Sequence, residues 1–225
     1  MIASMLDYTL DDLLLFTPEV YFRLISQYHQ FYWPLQVAGL LLGVWLVWRT
    51  LFQRGRDMRL IVFGLAACWI FIGIAFHINK FNAVNWMAVW FGAGFILQAL
   101  MLGLVGLQGP QLIEGVANGL SFFAVVGVLI LGVVGYPVAG LLQGQAIDAL
   151  PFFGIAGAPT LIVTLGVLVL LRDARWWLFL LPLLLLLVEG LTLYLLGSGE
   201  WIVFLIVVFV LLFARWQLRR TSQIT

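Results

Sequence analysis

Glu189 is the only acidic residue deep inside an apolar run of this chain, where it follows Val188 and five consecutive leucines. Its carboxyl group could bind a cation, exchange a proton or accept hydrogen bonds from a solute. Within a lipid bilayer an ionisable side chain costs at least about 2.5 kcal/mol unless it is paired or hydrated. The structural alternative is a protonated Glu189 hydrogen-bonded to a neighbouring helix. We take Glu189 as the first candidate for a solute-binding residue.

Two further candidates lie in the polar segment AFHINKFNAVNW at 75–86, between two long apolar runs. They are His77 and Asn79, which could line the mouth of a pocket. Imidazole and carboxylate ligands suit several divalent metals, so His77, His29 and Glu189 could form a metal site. The three residues lack any ligand spacing, and an isolated histidine is equally compatible with a structural role. Whether the chain binds a metal or another cofactor therefore stays open.

The remaining candidates are polar residues inside apolar helices. Thr160 and Thr164 are four residues apart on one helix face, and we expect them at about the height of Glu189. Gln98 lies on one side of its helix, where a hydrogen bond to a neighbouring helix is the competing interpretation. We predict that these three residues contribute to the same substrate-binding pocket as Glu189.

The amino-acid composition indicates what surrounds these residues. Hydrophobic residues make up 64% of the 225 residues, and charged residues make up 9%. A soluble domain of this size could not bury so much apolar surface. The chain is therefore predicted to be an all-α membrane protein with the lipid bilayer around it, and no nucleic-acid partner is predicted.

Seven transmembrane helices are predicted from the apolar runs. The expected spans are 33–52, 60–78, 84–107, 116–142, 152–171, 176–196 and 201–218. An interfacial amphipathic helix should precede them over 18–32, with Val20, Leu24, Tyr28 and Phe31 towards the membrane and Arg23 towards water. These elements divide the chain into an N-terminal segment over 1–32, a membrane domain over 33–218 and a basic tail over 219–225.

The fifth predicted span is interrupted. The sequence PFFGIAGAPTLIVTLG at 151–166 carries prolines and glycines before an apolar run that ends at Leu171. A helix that begins at Pro159 would cover only about 20 Å of a hydrocarbon core of about 30 Å. Irregular backbone at that depth requires protein or a water-filled cavity around it. The exposed N-terminus of such a helix would favour an anionic group, which Glu189 could supply.

Basic residues predict the orientation. With the N-terminus outside and the C-terminus in the cytoplasm, nine of the 11 Lys and Arg residues fall on the cytoplasmic side. They are Arg49, Arg54, Arg56, Arg59, Arg172, Arg175, Arg215, Arg219 and Arg220.

Several enzyme and cofactor classes are excluded by missing motifs. The chain has no phosphate loop and no HExxH, CxxC or GxSxG sequence. Its two histidines cannot form a three-histidine zinc site, and the seventh span has no lysine for a retinal Schiff base.

Four segments together resemble a known family. They are YHQFYWPLQ at 28–36, the run 75–98, GYP at 135–137 and the run 151–166. In this order they are similar to a family of bacterial integral membrane proteins classed as a domain of unknown function, whose members are sometimes labelled permeases. The resemblance covers about 21–199 and implies the bacterial cytoplasmic (inner) membrane. It departs where the family pattern has a cysteine and a further proline, because here Ala158 and Pro159 follow Gly157.

Three functions are compatible with these residues. The first is a small-solute permease or binding protein with an outward-facing polar pocket, which the interrupted fifth span favours. The second is an accessory or structural subunit of a larger membrane complex, with other membrane subunits or further copies of the chain as partners. The third is a membrane-embedded enzyme in which Glu189 and His77 act as acid and base.

Overall fold

A computed structural model of the protein describes residues 16–52, 57–113, 119–144 and 146–221. Within these ranges every secondary-structure element is a helix, and the one β-type contact is an isolated antiparallel bridge between Leu112 and Leu171. The predicted all-α class is confirmed. Arg54 and Arg56, which we assigned to the cytoplasmic side, lie outside the described residues.

The described residues form nine α-helices, which we number in chain order. They are α1 Pro18–Phe31, α2 Trp33–Phe52, α3 Arg59–Phe71, α4 Ala88–Leu107, α5 Leu120–Ile130, α6 Tyr136–Leu142, α7 Gly157–Leu170, α8 Leu180–Leu195 and α9 Trp201–Thr221. Two π-helical turns extend this set: Ile72–Ile78 continues α3, and Leu131–Gly135 joins α5 to α6.

Six of these helical stretches are long and apolar enough to cross a membrane. They are Trp33–Phe52, Arg59–Ala83, Ala88–Leu107, Leu120–Leu142, Trp176–Leu195 and Trp201–Arg220. The remaining predicted span, the fifth at 152–171, corresponds to α7, which has only 14 residues. The chain thus has the character of a multi-pass membrane protein with six candidate spans, and a seventh crossing stays a prediction.

Helix α7 is the centre of the bundle. It begins at Gly157, two residues before the predicted start at Pro159, and every residue from Ala158 to Leu170 is buried. A helix that is apolar on all sides must be surrounded by protein or lipid. Here the surrounding elements include α3, α5, α8 and α9. At 1.5 Å per residue its length is about 21 Å, so it is shorter than the hydrocarbon core.

The C-terminal end of α7 is held by an arginine from α9. The Arg215 guanidinium donates to the carbonyl oxygens of Val169 at 2.7 Å, Leu171 at 2.9 Å and Ala174 at 3.0 Å. The Leu170 carbonyl accepts from the backbone N–H of Ile113 at 3.0 Å. Carbonyl groups that a helix end leaves unpaired are therefore satisfied by the fold. We call this region the arginine end of α7.

Helix α1 forms where predicted, and part of it packs against the bundle. It begins with Pro18 in the first turn, and its buried side chains are Tyr21, Tyr28 and His29. Val20 and Phe31, which we expect to face the membrane, are 42% and 69% exposed. Tyr28, which we placed on the same face, packs against the bundle, and its hydroxyl donates to the carbonyl of Ile155 at 3.1 Å.

The two glycines of α2 lie against the segment that precedes α7. A Cβ atom on Gly39 would clash with the backbone carbonyl of Phe153, and one on Gly43 would lie 3.0 Å from Phe153 Cδ1 and 2.7 Å from Val133 Cγ1. Small residues of this kind let two backbones approach closely within a membrane. The contact fixes the irregular segment before α7 against α2.

Candidate functional site

A cavity of about 350 Å³ lies beside the N-terminus of α7. Its walls come from α1, the π-helical turn Ile72–Ile78, α4, α8 and the segment before α7. Small-molecule sites in proteins have volumes of roughly 300–1,000 Å³, so the cavity is large enough for a small solute. We call this region the cavity end of α7.

Glu189 lies on α8 and meets the first turn of α7. Its Oε1 accepts a hydrogen bond from the backbone N–H of Ala158 at 3.1 Å. Gly157 lets the carboxyl group come close, because a Cβ there would be only 2.9 Å from Oε2. A carboxylate beside a helix N-terminus is stabilised by the positive end of the helix dipole. Glu189 also lines the cavity and is partly exposed to it.

His77 reaches the same cavity from the π-helical turn. Its ring lies 4.7 Å from that of Phe95 and 5.0 Å from that of Phe76, measured between centroids. Its Nδ1 is buried and has no hydrogen-bond partner within the part of the chain that the structure describes. A π-helical turn inserts an extra residue into a helix and is frequent at functional sites. Here the turn contributes one polar atom to an otherwise aromatic wall.

Tyr136 is a cavity residue that the sequence analysis missed. It is 6% exposed, it lines the cavity, and its hydroxyl has no partner among the described residues. A buried hydroxyl normally finds a hydrogen-bond partner, so this group is an exception that needs an explanation. Tyr136 belongs to the GYP sequence at 135–137 in the predicted fourth span, directly after the π-helical turn Leu131–Gly135.

Four predicted site residues do not line the cavity. Asn79 is exposed. The Thr160 hydroxyl donates to the carbonyl of Ala156 at 2.8 Å and accepts from the N–H of Gly154 at 2.9 Å.

Thr164 and Gln98 are used for contacts between helices. The Thr164 hydroxyl donates to the Thr160 carbonyl at 2.7 Å and accepts from the Trp69 indole N–H at 2.8 Å. The Gln98 amide donates to the Leu178 carbonyl at 3.1 Å. These side chains support the helices around the site, and a role for them in substrate binding stays a prediction.

The three residues that could have formed a metal site do not form one within the part of the chain that the structure describes. His29, His77 and Glu189 all line the cavity, yet the described residues contain no group of three or more His, Cys, Asp or Glu side chains placed to hold a metal ion. His29 is committed elsewhere, because its Nδ1–H donates to the carbonyl of Ala149 at 2.8 Å.

The charge around the cavity is acidic. Among the described residues, the ionisable acids and bases that line it are Glu189, Glu200, His29 and His77, with no Lys or Arg. Burial lowers the pKa of His29, which favours its neutral form. Burial raises the pKa of Glu200, while a hydrogen bond with the Ser198 side chain opposes that rise. The cavity therefore carries carboxyl groups without a basic side chain to balance them.

Comparison with known proteins identifies a family and no activity. A model described as a family of unknown function, DUF6064, matches residues 18–223 of this chain. Neither curated proteins nor solved structures gave a match.

Proposed function

Because this chain belongs to the DUF6064 family, whose function is unknown, we propose from its own geometry that it binds a small solute. The protein would act as a permease or solute-binding protein of a bacterial cytoplasmic membrane. The observation that carries the proposal is the cavity of about 350 Å³ with a carboxyl group, an imidazole and an unpartnered phenol on its walls. Apolar walls with a few polar groups are typical of ligand sites.

The architecture of α7 supports this assignment. Membrane transporters often bind solutes where a helix is discontinuous and its N-terminus lies within the bundle. Helix α7 is short, follows the irregular segment 151–156, and directs its N-terminus to the cavity. Its first turn is bonded to Glu189 on a second helix, so solute binding could be coupled to movement between α7 and α8.

We infer that the cavity end faces the outside of the cell. Arg172, Arg175, Arg215 and Arg219 belong to the arginine end or its neighbouring loop, and basic residues concentrate on the cytoplasmic side. Exposed Asn79 and Asp173 mark the two ends. Single cysteines at these positions, treated with an impermeant thiol reagent in intact cells, test the orientation. We expect labelling of Asn79→Cys only, and labelling of Asp173→Cys alone would overturn the assignment.

A filled cavity provides the direct test of solute binding. Thr192 lines the cavity on α8, whereas Leu187 on the same helix is 66% exposed and does not line it. Thr192→Phe should remove binding, and Leu187→Phe is the matched control that leaves it unchanged. The measurement is thermal unfolding of the purified protein in lipid nanodiscs against a panel of cationic, neutral and anionic small solutes.

Two outcomes decide the proposal. A solute that raises the unfolding temperature of the wild type and of Leu187→Phe, but not of Thr192→Phe, supports it. If no solute in the panel changes the unfolding temperature, the permease or binding role fails. Purification from native membranes in a stable assembly with other subunits would then support the accessory-subunit alternative.

A further inference from the structure

The cavity combines acidic groups with aromatic walls. Glu189 and Glu200 contribute the carboxyl groups, and described residues add no Lys or Arg to the lining. The aromatic side chains are contributed by α1, the π-helical turn, α4 and α6, and include Tyr21, Phe76 and Phe95. The faces of such rings attract cations, and the attraction grows when the site excludes water.

The Glu189 carboxylate keeps acceptor capacity for a ligand. A carboxylate has about four acceptor positions, and Ala158 uses one of them at Oε1. The hydrogen bond that this carboxyl group forms with a described residue ends on Oε1, and Oε2 is not fully buried, so Oε2 is accessible to a ligand. Gly157, Ala158 and Pro159 at the N-terminus of α7 line the cavity beside Glu189, and the carboxyl group already accepts from the N–H of Ala158.

Two further atoms lack partners. The Tyr136 hydroxyl and His77 Nδ1 are buried against the cavity without a hydrogen bond to any described residue. A hydroxyl oxygen accepts hydrogen bonds, and so does an imidazole nitrogen in one of its two neutral tautomers. Neither group depends on the end of α7, so both are independent signs that this volume holds a molecule with hydrogen-bond donors.

From these features we infer that the solute is a small organic cation, an amine whose ammonium group binds Glu189 and whose apolar body lies on the aromatic rings. This inference rests on the proposed function and names the substrate class of the same site. An ammonium group offers several N–H donors, which matches the free acceptors at Glu189 Oε2, Tyr136 and His77. An anion would meet two carboxyl groups with no basic partner, and a neutral solute would leave the charge of Glu189 unused.

Three probes of similar shape separate these classes: phenethylammonium, 2-phenylethanol and phenylacetate, which carry a positive, zero and negative charge. Their binding to the protein in lipid nanodiscs is measured by isothermal titration calorimetry. We expect phenethylammonium to bind at least about tenfold more tightly than the other two. Glu189→Gln should abolish that preference, because the amide keeps an oxygen for Ala158 but carries no charge.

The controls distinguish a failure of this inference from a failure of the proposed function. Equal or tighter binding of the neutral or anionic probe overturns the amine assignment and leaves a solute-binding cavity. Absence of binding for every probe and every panel solute overturns both. If Glu189→Gln does not fold, the ranking of the probes on the wild type still decides, and Tyr136→Phe should weaken phenethylammonium about threefold or more.

Discussion

Both ends of α7 meet an ionisable side chain from a helix that follows in the sequence, yet the two side chains are used differently. At the arginine end, Arg215 donates to three carbonyl oxygens that belong to buried residues. At the cavity end, Glu189 accepts one hydrogen bond from Ala158 and keeps an oxygen towards an open volume. The fold uses three of the five N–H donors of Arg215, but only one of about four acceptor positions of the Glu189 carboxyl group.

This comparison suggests how to separate a structural charge from a functional one inside a membrane. Both side chains complement the dipole of α7. The acidic side chain lies near the positive N-terminal end, and the basic side chain lies near the negative C-terminal end. The two side chains differ in how many of their hydrogen-bond acceptors or donors the fold leaves unused. A group whose hydrogen bonds are mostly used by the fold should control stability, and a group with free positions should control binding.

Arg215→Met should have the largest effect on stability. The substitution keeps the apolar stem and leaves the carbonyls of Val169, Leu171 and Ala174 without their donor. Because each unsatisfied buried group costs about 1–3 kcal/mol, we expect a loss of about 3 kcal/mol or more. The measurement is reversible unfolding in mixed micelles.

The matched control for this change is Arg220→Met on the same helix. Arg220 is exposed, and its guanidinium lies 4.0 Å from the ring centroid of Trp216. An exposed cation–π contact contributes only about 0.5–1 kcal/mol. Equal losses for the two variants would show that Arg215 does not hold the end of α7.

Gly39→Ala tests whether the cavity end depends on the packed segment before α7. The added methyl group would clash with the carbonyl of Phe153, so we expect a loss of about 2 kcal/mol and weaker solute binding. Gly103→Ala is the control, since a Cβ there has no neighbour within 4 Å. That variant should gain up to about 1 kcal/mol from helix propensity. If Gly39→Ala unfolds like the control, the contact with α2 does not position the segment.

Glu189→Gln should change stability little, by about 1 kcal/mol or less. The amide oxygen still accepts from Ala158, and only the interaction between the charge and the helix dipole is lost. The same unfolding experiment as for Arg215→Met provides the comparison. A loss as large as that of Arg215→Met would make Glu189 a structural residue and remove the contrast between the two ends.

The smallest expected effect is a pH dependence carried by Glu200 at the cavity end. Burial raises the pKa of its carboxyl group in the folded protein above the ordinary value of 4.5. The folded state therefore binds the proton more tightly than the unfolded state does. The resulting contribution to the free energy of unfolding is present below pH 4.5 and is lost as the pH rises through the folded pKa. When the pH is raised from about 4 to about 7, the unfolding temperature should fall less for Glu200→Gln than for the wild type. Identical pH profiles would contradict this prediction.

The short central helix and its acidic neighbour could be predicted from the sequence because the membrane restricts the alternatives. Irregular backbone and a carboxyl group both need protein or water around them at that depth. The apolar run after Pro159 is too short to span the membrane, and Glu189 interrupts a run of leucines. Both features can therefore be recognised from the amino-acid sequence alone.

The remaining polar residues could not be assigned in this way. Threonines inside helices have a local partner in the carbonyl four residues earlier, which Thr160 and Thr164 both use. Arg215 was counted only as a basic residue near a helix end, since its carbonyl partners are 41 to 46 positions away. Tyr136 has no sequence signal beyond the neighbouring glycine and proline, because its environment depends on how several helices meet.

The two groups that satisfy the ends of α7 also bear on how the protein is made. A ribosome synthesises α7 before it synthesises Glu189 on α8 and Arg215 on α9. Until both later helices have been inserted, the N–H of Ala158 and the carbonyls near Leu171 lack the partners they have in the finished fold. A nascent α7 must therefore stay near the translocation machinery or interfacial water, and the bundle can close around it only after α9 has been added.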